Sequence, residues 1–202
     1  MSEIQLPTEN YFRVALVLLL IPTFAVGAYH RIRAASGETI SHRAEGYLFA
    51  TALRLVALVL WIGTFGYLFF PAYFQWTAMP LPSWLRWLGL VLGAFGPLLM
   101  YWTMSSLGKN LTDTVVTRAG ATLVTHGPYR WVRHPFYVTA AILIFSVTLL
   151  TANWLIGLSG LTVMILLVVR TAKEEQMLTD RFGEEYRQYI STTGRFFPRL
   201  SR

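Results

Sequence analysis

The chain has 202 residues, 54% of them hydrophobic and only 13% charged, with a mean hydropathy of +0.48; a soluble domain carries about 25% charge, so this is the composition of an integral membrane protein. The net charge of +7 would suggest nucleic acid in a soluble chain, but the basic residues fall in loops flanking apolar runs, which points to membrane topology and excludes a nucleic-acid partner. No cysteine is present, so disulfides, thiolate metal sites and cysteine nucleophiles are excluded, and no metal is expected.

The start, MSEIQLPTEN, lacks the basic region that opens a signal peptide, so no cleavage is expected. Val14 to Tyr29 is an apolar run broken only by Pro22, and with Tyr11 and Phe12 it reaches the roughly 20 residues that cross a bilayer. A polar loop from His30 to Gly46 follows. Tyr47 to Phe70 is a second span, interrupted by Arg54, which either snorkels to the near interface, the favoured reading, or faces a cavity. The loop Pro71 to Ser83 has no charge but is rich in aromatics and proline, as suits an interfacial turn. Trp84 to Met104 is a third span, with Gly89 and Gly93 at the spacing that lets another helix approach closely, and a kink is expected at Pro97.

Ser105 to His134 is the longest polar stretch. Phe136 to Thr151 and Trp154 to Val169 are short apolar runs joined by Ala152 and Asn153, so they should pair as an antiparallel helical hairpin. Lys and Arg number three in the first loop, none in the second, four in the third, none in the hairpin turn and seven in the tail. That alternation predicts five spans, with the N-terminus outside and both basic loops and the C-terminus cytoplasmic. The expected fold is an all-α membrane protein of five transmembrane helices with a cytoplasmic cofactor-binding cap. Residues 1–104 form an N-terminal scaffold, and residues 105–202 a catalytic region with the hairpin and an amphipathic C-terminal helix. In that last helix Leu178, Phe182, Tyr186 and Tyr189 share a face, with Gly194 as the expected stop, a pattern that a helix lying on the membrane surface also explains.

Polar chemistry concentrates in LVTHGPYRWVRHPFY, Leu123 to Tyr137, which holds two His, two Arg and two Tyr in fifteen residues. A basic loop touching anionic headgroups would also read this way. Pro135 suits the first position of a helix, so this helix N-terminus offers amide N–H groups to an anion beside Arg133 and His134. Arg170 and Glu174 stand four apart and share a helical face, whereas Glu175 points elsewhere. Their pairing is either an ordinary salt bridge or part of a ligand site. Because the hairpin is tight, His134, Arg170 and Glu174 should come within reach of one another.

LVTHGPYRWVRHPFY, the paired Glu174 and Glu175, FGEEYRQY from Phe182 to Tyr189 and RFFP from Arg195 to Pro198 together resemble the membrane methyltransferases typified by isoprenylcysteine carboxyl methyltransferase and the phospholipid N-methyltransferases. The resemblance implies S-adenosyl-L-methionine as cofactor, held without a dinucleotide-binding domain by Thr122, Leu123, Val124, Tyr129, His134, Pro135, Phe136, Tyr137 and Glu174. Arg170 falls where the carboxyl methyltransferases place a substrate-positioning arginine, so Arg170 and His134 are the expected catalytic residues. Ala121 stands where those enzymes usually have His, and Thr139 where Gly is common. A lipophilic acceptor would enter sideways from the bilayer of a bacterial or archaeal cell membrane, with membrane lipids as neighbours. Methylation of a phospholipid amine, an NADPH-dependent reductase of the sterol type and a non-enzymatic membrane scaffold are the alternatives.

Overall fold

The computed structural model describes residues 5–34, 47–108 and 122–199. Eight α-helices carry it: α1 (Gln5–Ala34), α2 (Tyr47–Phe69), α3 (Pro71–Phe74), α4 (Ser83–Ala94), α5 (Gly96–Leu107), α6 (Pro135–Thr151), α7 (Trp154–Phe182) and α8 (Glu184–Thr192). No strand occurs among the described residues; the extended pairings are two isolated bridges, Ala78 with Asn153 and Val132 with Gly194. Four helical stretches are long and apolar enough to cross a membrane: Thr8–Ala34, Tyr47–Phe69, Ser83–Leu107 and Trp154–Phe182. At 17 residues, α6 is shorter.

The kink expected at Pro97 is a break. Proline has no N–H to give the preceding turn, so the stretch Ser83–Leu107 divides at Phe95 into α4 and α5 with Pro97 in the first turn of the latter. The glycine pair of α4 packs as its spacing suggests. A Cβ on Gly89 would lie 2.8 Å from the backbone oxygen of Ser146, and one on Gly93 would lie 2.8 Å from Leu19 and 3.1 Å from Ser146. Small residues thus seat α4 directly on α6 and α1. Phe12, Leu16 and Leu19 of α1, Tyr67 of α2, Leu150 of α6 and Ile156 of α7 form the core beside that seam.

The hairpin turn is pinned by its own residues. Ala152 is left-handed, with φ 47°, and the Asn153 side chain caps α7 by accepting from the Ile156 N–H at 3.1 Å. The amide of Asn153 also donates to Thr77 Oγ1, and the Met79 N–H donates to the Ala152 carbonyl at 2.7 Å. The charge-free loop after α2 is therefore fastened over the hairpin turn, at the end of the bundle opposite the α6 start.

The tail departs from the expected single helix. Gly183 has φ +56°, a backbone that L side chains rarely adopt, so Leu178 and Phe182 close α7 while Tyr186 and Tyr189 belong to α8. Both tyrosines are buried, and the Tyr189 hydroxyl donates to the Tyr129 carbonyl at 2.5 Å. The apolar face of α8 is thus taken up by the chain's own motif. The helix stops at Thr192, and Gly194 instead bridges to Val132.

Candidate functional site

His134 is the residue before α6, with Pro135 in its first turn, as the sequence requires. Its ring is buried and lies parallel to Tyr137, centroid to centroid 5.5 Å, with Phe196 on another side at 5.7 Å. The imidazole reaches a glutamate on each side. Nε2 is 3.2 Å from Glu175 Oε1, and Nδ1 is 3.6 Å from Glu174 Oε2.

Glu174 has the partners its spacing suggests. Arg170 Nε donates to Glu174 Oε1 at 2.9 Å, one turn back on α7, and the Tyr137 hydroxyl donates to the same oxygen at 2.5 Å. The hairpin therefore brings His134, Arg170 and Glu174 into one cluster, as expected, and adds Tyr137 to it.

Glu175 does not point elsewhere. Its side chain is the more buried of the pair, 10% exposed against 17% for Glu174, and it receives Arg133 Nε at 2.9 Å, Arg195 Nε at 3.1 Å and a further contact from Arg195 Nη2. Successive helical residues are about 100° apart, but the α6 start is wedged between them, so both face polar groups. The anion beside Arg133 and His134 is accordingly the chain's own carboxylate. Arg133 also donates to the Ile190 and Thr193 carbonyls, while the Arg133 and His134 amides donate to Gly194 and Arg195 at 2.8 and 3.1 Å. The segment after α8 is bound to the α6 start along its backbone. Arg133 and Arg195 stood inside the quoted motifs, yet their common partner could not be read from spacing, since they lie 42 and 20 residues from Glu175.

The other expected cofactor residues distribute around this cluster. Val124, Tyr129 and Pro135 are buried. Burial raises the phenols of Tyr129 and Tyr189 above their ordinary range, which keeps Tyr189 a donor. Leu123 lines a small polar cavity of about 360 Å3 against α8, together with Arg130, Glu185 and Gln188. Thr122 is exposed at the beginning of the described segment. Phe136 lines an apolar cavity of about 700 Å3 between α1, α2, α5, α6 and α7. Thr139, where glycine is common in the resembled family, is buried and donates to the Pro135 carbonyl at 3.0 Å. Ala121 lies outside the described residues.

A second ion cluster occupies the opposite end of the bundle, and the sequence reading passed over it. Arg86 of α4 donates to both carboxylate oxygens of Glu9 on α1, at 2.7 and 2.9 Å. Its Nε donates to the Leu150 carbonyl at 3.0 Å, and Tyr67 of α2 donates to Glu9 at 2.6 Å. The guanidinium also sits 3.7 Å from the centre of the Phe12 ring.

Residues 87–180, which span the Gly89–Gly93 seam, the α6 start and the Glu174–Glu175 pair, match the family model of isoprenylcysteine carboxyl methyltransferases. That segment, a little under half of the chain, is similar to the isoprenylcysteine carboxyl methyltransferases. Human protein-S-isoprenylcysteine O-methyltransferase is 34% identical to it over 117 residues, 56% of this chain and 41% of that protein. Methanethiol S-methyltransferase 1 of Bradyrhizobium diazoefficiens is 36% identical over 70 residues, 35% of this chain and 24% of that protein. The solved structure of the eukaryotic intramembrane Ras methyltransferase of the carboxyl methyltransferase name superposes with a TM-score of 0.61 at 25% identity. That superposition covers 91% of this chain and 63% of the solved one. The chain thus spans less than half the length of the human relative and under two thirds of the solved structure.

Proposed function

We propose that the protein is an S-adenosyl-L-methionine-dependent methyltransferase acting on a lipophilic acceptor, in the manner of isoprenylcysteine carboxyl O-methylation. The observation that carries this reading is a junction: Phe136 lines the apolar cavity, while its neighbours His134 and Tyr137 belong to the ion cluster. A lipophilic chain in the cavity would bring its polar end to the polar groups at the start of α6.

The cofactor's chemical contribution is an electrophilic methyl group on a sulfonium. The donor set fits such a molecule, which carries an ammonium, hydroxyls and a cationic sulfur. Glu174 offers a carboxylate to positive or hydroxyl groups, and the rings of Phe136 and Tyr137 offer apolar faces. His134 would hold Glu174 in place, with Arg170 positioning the acceptor. Val124, Tyr129 and Pro135 would support the wall from behind, and Thr122 and Leu123 would border it. Charge disappears in methyl transfer to an anion, so the residues' task is to align the two reactants and exclude water.

In this reading α6 is a fifth membrane-crossing segment, and the α6 start and the C-terminus lie on the cytoplasmic side with the basic loops. Reporter fusions at Thr77 and Arg202 are expected on opposite faces of the membrane. Incubating the purified protein with methyl-labelled S-adenosyl-L-methionine and a lipid extract should place label in an organic-soluble product. Failure of the protein to bind S-adenosylhomocysteine, together with no labelled product, would overturn the proposal.

A further inference from the structure

The wall of the apolar cavity is uneven. Helix α1 packs along α4, α5 and α6 while α2 packs along α7, so α1 and α2 face each other across the cavity. They are fastened together at one end, where Tyr67 donates to Glu9 at 2.6 Å and shares a core with Phe12 and Leu16. Further along, Phe24 of α1 and Trp61 of α2 meet with ring centroids 5.1 Å apart. Both rings line the cavity, yet Phe24 is 48% exposed. This aromatic pair therefore stands between the cavity and the bilayer.

Helix α1 is weakest beside that pair. Pro22 lies inside the helix and has no N–H for the Leu18 carbonyl four residues back. The next carbonyl, that of Leu19, also accepts from Thr23 Oγ1 at 2.8 Å, and both features bend helices. Packing changes at the same point. Before Pro22, α1 buries Phe12, Ala15, Leu16 and Leu19; after it, the buried residues among those described are Gly27 and Ala34. A Cβ on Gly27 would meet only Met100, at 3.4 Å. We propose that residues 23–34 of α1 form a gate that swings about Pro22, with the Phe24–Trp61 contact as its latch, and that its opening joins the cavity to the bilayer between α1 and α2. Parting the rings turns apolar surface toward lipid chains as apolar as itself, so opening carries no hydrophobic penalty. This deepens the methyltransferase reading by naming how its cavity is opened and closed, and it rests on that reading only in taking the cavity for the acceptor's site. Pro22, Phe24 and Trp61 lie outside residues 87–180, so the gate belongs to the N-terminal scaffold and not to the family segment.

The test uses the full chain in phosphatidylcholine vesicles, photolabelled from within the bilayer by a diazirine-bearing alkane and read by peptide mass spectrometry. Label on residues 140–147, where Ala140, Leu143, Ile144 and Val147 line the cavity, is divided by label on residues 158–165, where Leu158, Leu161 and Ile165 are exposed. The chain has no cysteine, so the double variant Phe24→Cys/Trp61→Cys offers a unique pair to a short bifunctional maleimide. Linked before the probe is added, that variant should show a ratio at background, and unlinked it should exceed the wild type. Phe24→Ala should raise the ratio about two- to tenfold, the range that one aromatic contact commands. Pro22→Ala, which restores the helical hydrogen bond, should lower it below the wild type. A ratio that survives the link, or that Pro22→Ala leaves unchanged, would overturn the proposal. Because no methyl donor is present, a working gate in a protein that methylates no lipid would sink the functional reading alone, and methylation by a chain whose ratio ignores the link would sink the gate alone.

Discussion

At the hairpin-turn end of the bundle one carboxylate meets one guanidinium; at the α6 start two carboxylates meet three guanidiniums and an imidazole. Ionisable groups within membrane helices are costly and by default suggest function, yet the two clusters differ in what surrounds them. Glu9, Arg86 and Tyr67 bind one another and a backbone carbonyl, and none of them lines either of the cavities described. That cluster joins α1, α2, α4 and α6 and acts as a fastener. At the other end the work is divided. Glu175 fastens α7 to the α6 start and to the segment after α8, while Glu174 sits nearer the surface, next to the residues that border the apolar cavity. Saturation marks structure, and adjacency to a cavity marks the place for a ligand.

Substitutions that remove one charge at a time should separate these roles. The largest effect is expected for Glu175→Gln, which leaves Arg133 and Arg195 without their shared anion and should cost about 3–5 kcal/mol, read as the greatest fall in unfolding temperature in detergent. Glu9→Gln should cost somewhat less, about 2–3 kcal/mol, because the Glu9 side chain is 29% exposed. Its S-adenosylhomocysteine affinity in calorimetric titration should match the wild type. A loss of affinity there would break the distinction between the two ends. Glu174→Gln is expected to weaken that affinity about tenfold, or about 1.4 kcal/mol, and to lower the unfolding temperature about as much as Glu9→Gln, since Arg170 and Tyr137 lose their shared carboxylate. The smallest effect is expected at Gly183, where a Cβ meets nothing within 4 Å but φ is +56°. Gly183→Ala should cost about 1 kcal/mol through backbone strain alone, lowering the unfolding temperature slightly without changing any charge contact.

What the amino-acid sequence determined by itself is whatever depends on neighbours a few residues apart. Apolar runs marked the helices, Pro135 marked the α6 start, Gly89 and Gly93 marked a close-packed seam, and the four-residue step from Arg170 to Glu174 marked an ion pair. Each of these follows from the 3.6-residue repeat or from a single residue's backbone limits. Even the hairpin was legible, because two residues leave a helix no direction but back. What only the tertiary structure decided are the contacts between distant segments. Glu9 and Arg86 are 77 residues apart, and neither lies in a pattern that names the other. Glu175 was read as turned away because its helix alone was considered, whereas α6 and the segment after α8 bring cations to it from two directions. The tail read as one stripe because the tyrosines keep a helical spacing across Gly183, and only the backbone angle there shows the break. The cavity, finally, belongs to five helices at once, since an apolar side chain carries no directional signal and its position against a void is set by packing, not by sequence.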